Sequence, residues 1–223
     1  MAKPETGPIV SLVPDLEAYF EPLGGLHRRL CPRQVLGVRM GIYAGELLGI
    51  DPRSEDRRLI AIVETDGCFA DGVSVATGCW LGRRNLRLVD YGKVAITAID
   101  VVTERAVRLW PHPLARTRAE SYAPSAQSRW HSQLIGYQRM PIAELVCAES
   151  VRMLTPIAAF IGQAGQRLNC AVCGEEVINL RQVAVGTRSL CRRCAGQPYY
   201  LESGSSTFVP TADVSHFMIV EAA

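Results

Sequence analysis

Residues Arg58–Val94 read RLIAIVETDGCFADGVSVATGCWLGRRNLRLVDYGKV. Leu59–Val63 is a short, continuous apolar run rich in β-branched residues, the pattern of a strand covered on both faces. It ends at Glu64-Thr65-Asp66-Gly67, a cluster with turn chemistry and helix-capping side chains. Cys68 then opens a short helical segment carrying Asp71, and Gly78-Cys79 closes it. Two thiols and several carboxylates therefore come directly after a buried strand, a place where folds of this kind often keep their sites.

On the C-terminal side, Leu86–Asp90 and Val94–Val102 read as strands joined near Tyr91-Gly92-Lys93, and Val107–Trp110 as a third, an antiparallel meander. Arg116–Met140 is a polar arm, helical in parts and broken at Pro124. Pro141–Ala148 reads as a short helix and Val151–Leu154 as a strand. On the N-terminal side, Asp15–Leu23 has helical spacing and stops at Gly24-Gly25. Pro32–Leu48 is a second helix. Proline suits its first turn, which places Cys31 at the N-cap, where the positive helix end stabilises a thiolate. Gly37, Gly41 and Gly45 recur every fourth residue along it. Each costs roughly 1 kcal/mol relative to alanine, so the face they form calls for close approach of another backbone. This face and the arm point to a homodimer.

The chain has 223 residues, 48% of them hydrophobic, and a net charge of +2. That composition supports a sizeable core and argues against global disorder, while the near-neutral charge argues against nucleic acid as a partner. Arginine supplies 22 of the 24 basic residues, leaving Lys3 and Lys93 as the lysines. The N-terminus lacks the basic and apolar segments of a signal peptide, and Val35–Ile50 is interrupted by Arg39 and Glu46, so no membrane span is expected. The expected location is the cytoplasm. Eight cysteines there indicate metal ligands or reactive thiols rather than structural disulfides.

Cys170-Ala-Val-Cys173 and Cys191-Arg-Arg-Cys194 are two CxxC pairs with 17 residues between them. Each CxxC turn presents two sulfurs on one side of a tight loop, and four such ligands make a tetrahedral zinc site. Cys31, Cys68 and Cys79 admit two readings, buried small hydrophobes or members of one soft-metal shell, and His27 lies four residues before Cys31. The expected organisation is a mixed or antiparallel α+β core over residues 9–160, and a four-cysteine zinc finger of treble-clef or ribbon type over 165–200. A tail over 201–223 is expected to dock on the core through residues such as Phe208 and Phe217.

These motifs, taken together, resemble the FmdE-like family, the E subunits of formylmethanofuran dehydrogenase. Its His-Gly-His-x-Cys-Pro motif opens a helix similar to Leu36–Gly41, LGVRMG. Its Glu-Thr-Asp-x-Cys-x-x-Asp motif is similar to Glu64–Asp71. Its Thr-Gly-Cys-x-x-Gly-Lys-Gly-Asn-Leu and Asp-Tyr-Gly-Lys motifs are similar to Thr77–Lys93. The chain departs from them at Arg29, which replaces the second histidine, and at Arg83-Arg84, which replaces Lys-Gly. The resemblance implies a core cluster in which His27, Cys31, Cys68 and Cys79 hold a second metal, zinc or another soft transition metal. Asp71 and Lys93 join Cys31 and Cys68 as candidate catalytic residues, and Glu64 and Asn85 as candidate cofactor contacts.

Three functions compete. The first is a metal-binding accessory to a molybdenum- or tungsten-dependent formyl- or formate-converting enzyme. The second is an enzyme in its own right, through an open metal position or thiol chemistry at Cys31. The third is a zinc-finger adaptor for protein or nucleic acid. The first is the reading the motifs favour.

Overall fold

A computed structural model describes residues 15–27, 29–161 and 165–200. The chain divides into two compact units, Met1–Arg152 and Met153–Ala223. The tail over 201–223 lies outside the described residues, as do residues 9–14 at the start of the expected core.

The first unit is α+β. Helix α1 (Glu17–Leu26) and helix α2 (Pro32–Leu48) precede strand β1 (Leu59–Val63), helix α3 (Cys68–Thr77) and strand β2 (Leu86–Leu88). Strands β3 (Ile96–Asp100) and β4 (Ala106–Pro111) come next. Short helix α4 (Ala115–Arg118), helix α5 (Arg129–Arg139) and short helix α6 (Ile142–Leu145) lead to strand β5 (Val146–Val151). The five strands form one sheet in the order β2-β1-β3-β4-β5.

The expected meander holds only for β3 and β4, which pair antiparallel with Ala98 opposite Val107. β2 lies on the other side of β1 and runs parallel to it, Ala61 opposite Leu86. The reason is α3: a chain that leaves a strand through a helix returns alongside that strand in the same direction, whereas a short turn reverses it. Two other expectations shift at the far edge. Only Ile142–Leu145 of the segment expected as a helix is helical, and its end joins β5, which pairs with β4 from Val146 to Val151. Of the strand expected over Val151–Leu154, only Val151 is in a strand, as the last residue of β5.

β1 and β3 are buried along their whole length. Leu59, Ala61, Val63, Ile96 and Ala98 pack with Val35, Leu36, Met40, Phe69 and Val73 from α2 and α3 in the main core. The glycine face of α2 meets α3. A Cβ on Gly37 would clash with Phe69 O and lie 2.8 Å from Val73 N, and one on Gly41 would lie 2.7 Å from the Ala76 Cβ. A Cβ on Gly45 would meet Pro52 and Ile50 instead. The smooth face is thus used within the chain. The arm is also packed down: Gly136 of α5 presses on Ala119, and Tyr137 is buried. Arg39, 2% exposed, donates from Nη1 to Tyr137 O and Gln138 O and from Nη2 to Met140 O, tying α2 to the carbonyls at the end of α5. Burial lowers its pKa to about 10, which leaves it charged at neutral pH.

In the second unit, a short helix α7 (Ile157–Ile161) precedes two hairpins. Strands β6 (Arg167–Asn169) and β7 (Glu176–Ile178) make the first, and β8 (Val183–Val185) and β9 (Arg188–Leu190) the second. The first CxxC turn joins β6 to β7 and the second follows directly on β9, so two short hairpins make up the four-cysteine ribbon. Gly174 N donates to Cys170 O in the first turn and Ala195 N to Cys191 O in the second. Gly174 takes a φ of 76°, a conformation that favours glycine.

Candidate metal and thiol sites

α2 and α3 run parallel, since Gly72 packs on Gln34, Gly37 on Phe69 and Val73, and Gly41 on Ala76 and Thr77. Their N-terminal ends therefore meet, and each begins at a cysteine. Cys31 is the N-cap of α2 in a reciprocal capping box: its side chain accepts the Gln34 backbone N–H, and Gln34 Oε1 accepts the Cys31 N–H at 2.8 Å. Cys68 is the first residue of α3. Burial, followed by the hydrogen-bonding Cys31 thiol and the charge of Asp71, pushes the Cys68 thiol above its usual range. His27, just before this junction, lies with Nε2 2.6 Å from Asp71 Oδ2. Gln34 is fully buried, and its Nε2 has no hydrogen-bond partner.

The structure thus brings His27, Cys31, Cys68 and Asp71 to one junction and leaves the other expected members elsewhere. Cys79 comes after the far end of α3. Its Sγ lies 3.5 Å from Leu59 O, where β1 begins, and burial raises its pKa to about 11, so it is a protonated core thiol. Asn85 belongs to the same far end. Its Oδ1 accepts from Trp80 N at 3.0 Å, its Nδ2 donates to Leu59 O, and it lines an open polar cavity of about 430 Å³ with Arg53, Arg57 and Arg83. Glu64, 5% exposed, is bound through both oxygens by Arg108, at 2.7 and 2.9 Å. Its backbone oxygen accepts from Tyr91 N and Lys93 N, which fixes the Asp-Tyr-Gly-Lys loop. Lys93 is exposed, with Nζ 5.8 Å from the centre of the Tyr91 ring. Sequence reasoning missed Gln34 and Arg108. Gln34, three residues after an N-cap, carries a capping-box signal that could have found it.

In the second unit, the sulfurs of Cys170, Cys173, Cys191 and Cys194 all lie within 4.8 Å of one another, as a tetrahedral soft metal requires. Among the described residues, this is the group of three or more His, Cys, Asp or Glu side chains placed to hold a metal ion, and His27, Cys31 and Cys68 do not form a second. Cys170 Sγ accepts the Cys191 N–H at 3.2 Å and Cys191 Sγ accepts the Cys194 N–H at 3.4 Å. Backbone N–H groups, Cys173's first, lower the Cys170 pKa to about 6, while hydrogen bonding to Cys191 raises that of Cys194 to about 12. A metal ion bound by cysteine takes the thiolate form, so binding here would release protons.

Residues 26–146 match the family described as FmdE, Molybdenum formylmethanofuran dehydrogenase operon. The chain belongs to the FmdE family. The match takes in both helix-start cysteines and His27, and stops short of the four-cysteine ribbon. A probable S-adenosyl-L-methionine-binding protein of Archaeoglobus fulgidus is 30% identical over 198 residues, covering 78% of this chain and 51% of that protein. The chain spans about half the length of that relative. A solved structure, a tungsten formylmethanofuran dehydrogenase FmdE-like protein from Syntrophus aciditrophicus, shares the fold with a TM-score of 0.58. It is 21% identical, and the match covers 83% of this chain and 94% of that one. Against the FmdE motifs, Arg84 stands where the pattern has glycine, and its φ of 63° explains the glycine. No described helix is long and apolar enough to cross a membrane.

Proposed function

We propose that this FmdE-family protein binds zinc at its four-cysteine ribbon and a second soft metal at the junction of α2 and α3. We further propose that it serves a molybdenum- or tungsten-dependent formyl- or formate-converting enzyme as a metal-holding accessory. One observation carries the second site: two thiols and an imidazole from separate family motifs converge on two helix N-termini. Two sulfurs and a nitrogen are a donor set suited to zinc or another soft metal. With Nε2 of His27 held by Asp71, Nδ1 is the ligand atom, the carboxylate fixing the ring as such partners commonly do. Binding would draw His27, Cys31 and Cys68 closer together. Cys79 has no part in this shell, and Glu64 is committed to Arg108. The enzyme association is supported by the family's description and by the name of the solved relative.

Metal analysis of the purified chain, intact and as Cys31→Ser and Cys68→Ser, tests the reading. Two metals per chain falling to one in either variant are expected. One metal per chain, unchanged by both substitutions, would reduce the junction to packing.

A further inference from the structure

We infer that Cys31 and Cys68 form a dithiol–disulfide exchange site whose substrates are small disulfides. The same two thiols belong to the proposed metal shell, and exchange does not depend on a metal being bound there. Contacts bracket the pair on both sides. On one side His27, four residues before Cys31, binds Asp71, three residues after Cys68. On the other, Gly37 and Gly72 press α2 and α3 together with no room for a Cβ on either. The two helix starts are thereby held side by side, with the Cys31 and Cys68 thiols in hydrogen-bonding contact, the proximity a disulfide needs. Both thiols are partly exposed, so an external disulfide can reach them, while Cys79 is buried.

The parallel helices place two N-terminal ends at the pair. Cys31, its sulfur accepting the Gln34 N–H, is the attacking thiol. Its thiolate bonds to one sulfur of the substrate disulfide and expels the other as a thiolate, which takes up the proton Cys31 lost. Cys68 then attacks the Cys31 sulfur, and its proton goes to the second departing thiolate. The products are a Cys31–Cys68 disulfide and two substrate thiols: the cysteines are oxidised and the substrate reduced. The spare N–H of the buried Gln34 Nε2 is a further donor within reach of this junction.

The test treats the reduced full chain with oxidised glutathione, with and without prior chelation. Acid quenching, alkylation and peptide mapping by mass spectrometry complete it. Metal content of the reduced protein is measured in parallel. After chelation, a linked Cys31–Cys68 peptide that dithiothreitol reverses is expected in the wild type and in Cys79→Ala. Cys68→Ser should instead hold glutathione on Cys31. Free alkylated Cys31 and Cys68, or glutathione on both without a link, would overturn the inference even where metal is found at the junction. A link formed in a protein with no second metal would support it and leave the metal reading alone to fail. The wild-type map decides the matter if the serine variant does not fold.

Discussion

His27 Nε2 lies 2.6 Å from Asp71 Oδ2, joining the chain just before α2 to the first turn of α3 across 44 positions of sequence. The contact links two family motifs that sequence alone leaves apart, and holds the imidazole against the first turn of α3. Asp71→Asn keeps the shape and removes the charge that fixes the ring. A carboxylate partner of this type is commonly worth about 10- to 100-fold in metal affinity. The expected result is weaker binding by that range at the proposed junction site, measured by competition with a chromophoric chelator, with metal binding at the four cysteines unchanged.

The crossing of α2 and α3 depends on Gly72 having no side chain. A Cβ there would clash with Gln34 O and lie 3.0 Å from Gln34 C, all backbone that cannot swing aside. Alanine gains about 1 kcal/mol of helix propensity, but overpacking of this kind costs about 1–3 kcal/mol or more. Gly72→Ala should therefore lower the urea midpoint of the first unit. Gly25→Ala in α1, where a Cβ meets nothing within 4 Å, should leave the midpoint unchanged or raise it.

Arg84→Gly should stabilise the fold. Arg84 has a φ of 63° and a buried Nε without a hydrogen-bond partner. The left-handed conformation costs a side chain about 1–2 kcal/mol, part of which glycine returns as unfolded-state entropy. A net gain of about 1 kcal/mol is expected from thermal or urea unfolding. A loss would mean that Arg84 makes a contact worth more than its strain.

Asp100 gives the first unit an acid sensitivity. Its carboxylate, in a fully buried residue, accepts from Arg58 Nε at 2.5 Å and Nη2 at 2.6 Å, and from Thr103 Oγ1. The Arg58 guanidinium holds it well below the usual carboxylate range. Because the folded-state pKa lies below the unfolded value, this stabilisation is complete above about pH 4 and is lost as pH falls towards the folded-state pKa. Urea midpoints of wild type and Asp100→Asn should differ most near neutral pH and converge as the solution is acidified below about pH 4.

Local chemistry made much of this protein legible in its sequence. The four ribbon cysteines could be picked out because a CxxC turn is a local object, and two of them at this spacing leave few alternatives. The start of α2 at Pro32, the buried strand Leu59–Val63 and the opening of α3 at Cys68 were equally local, set by capping, proline and apolar runs. The glycine repeat of α2 correctly called for a second backbone, without saying that it would be α3. What sequence left open were relations between distant positions. Cys68 and Cys79 are 11 residues apart, and only the run of α3 between them separates the partner of Cys31 from a core thiol beside Leu59. Glu64 has the look of a free acid until β4 brings Arg108 against it. The place of β2, parallel to β1 rather than in a meander with β3, was likewise set by the α3 crossover.

Capping, turn formation and apolar periodicity act over a few residues, so the elements and the groups able to do chemistry could be read along the chain. Which of those groups meet was settled by folding. Pairings such as His27–Asp71 and Glu64–Arg108, each spanning 44 positions, exist only once the sheet order and the glycine-packed helix crossing have been formed.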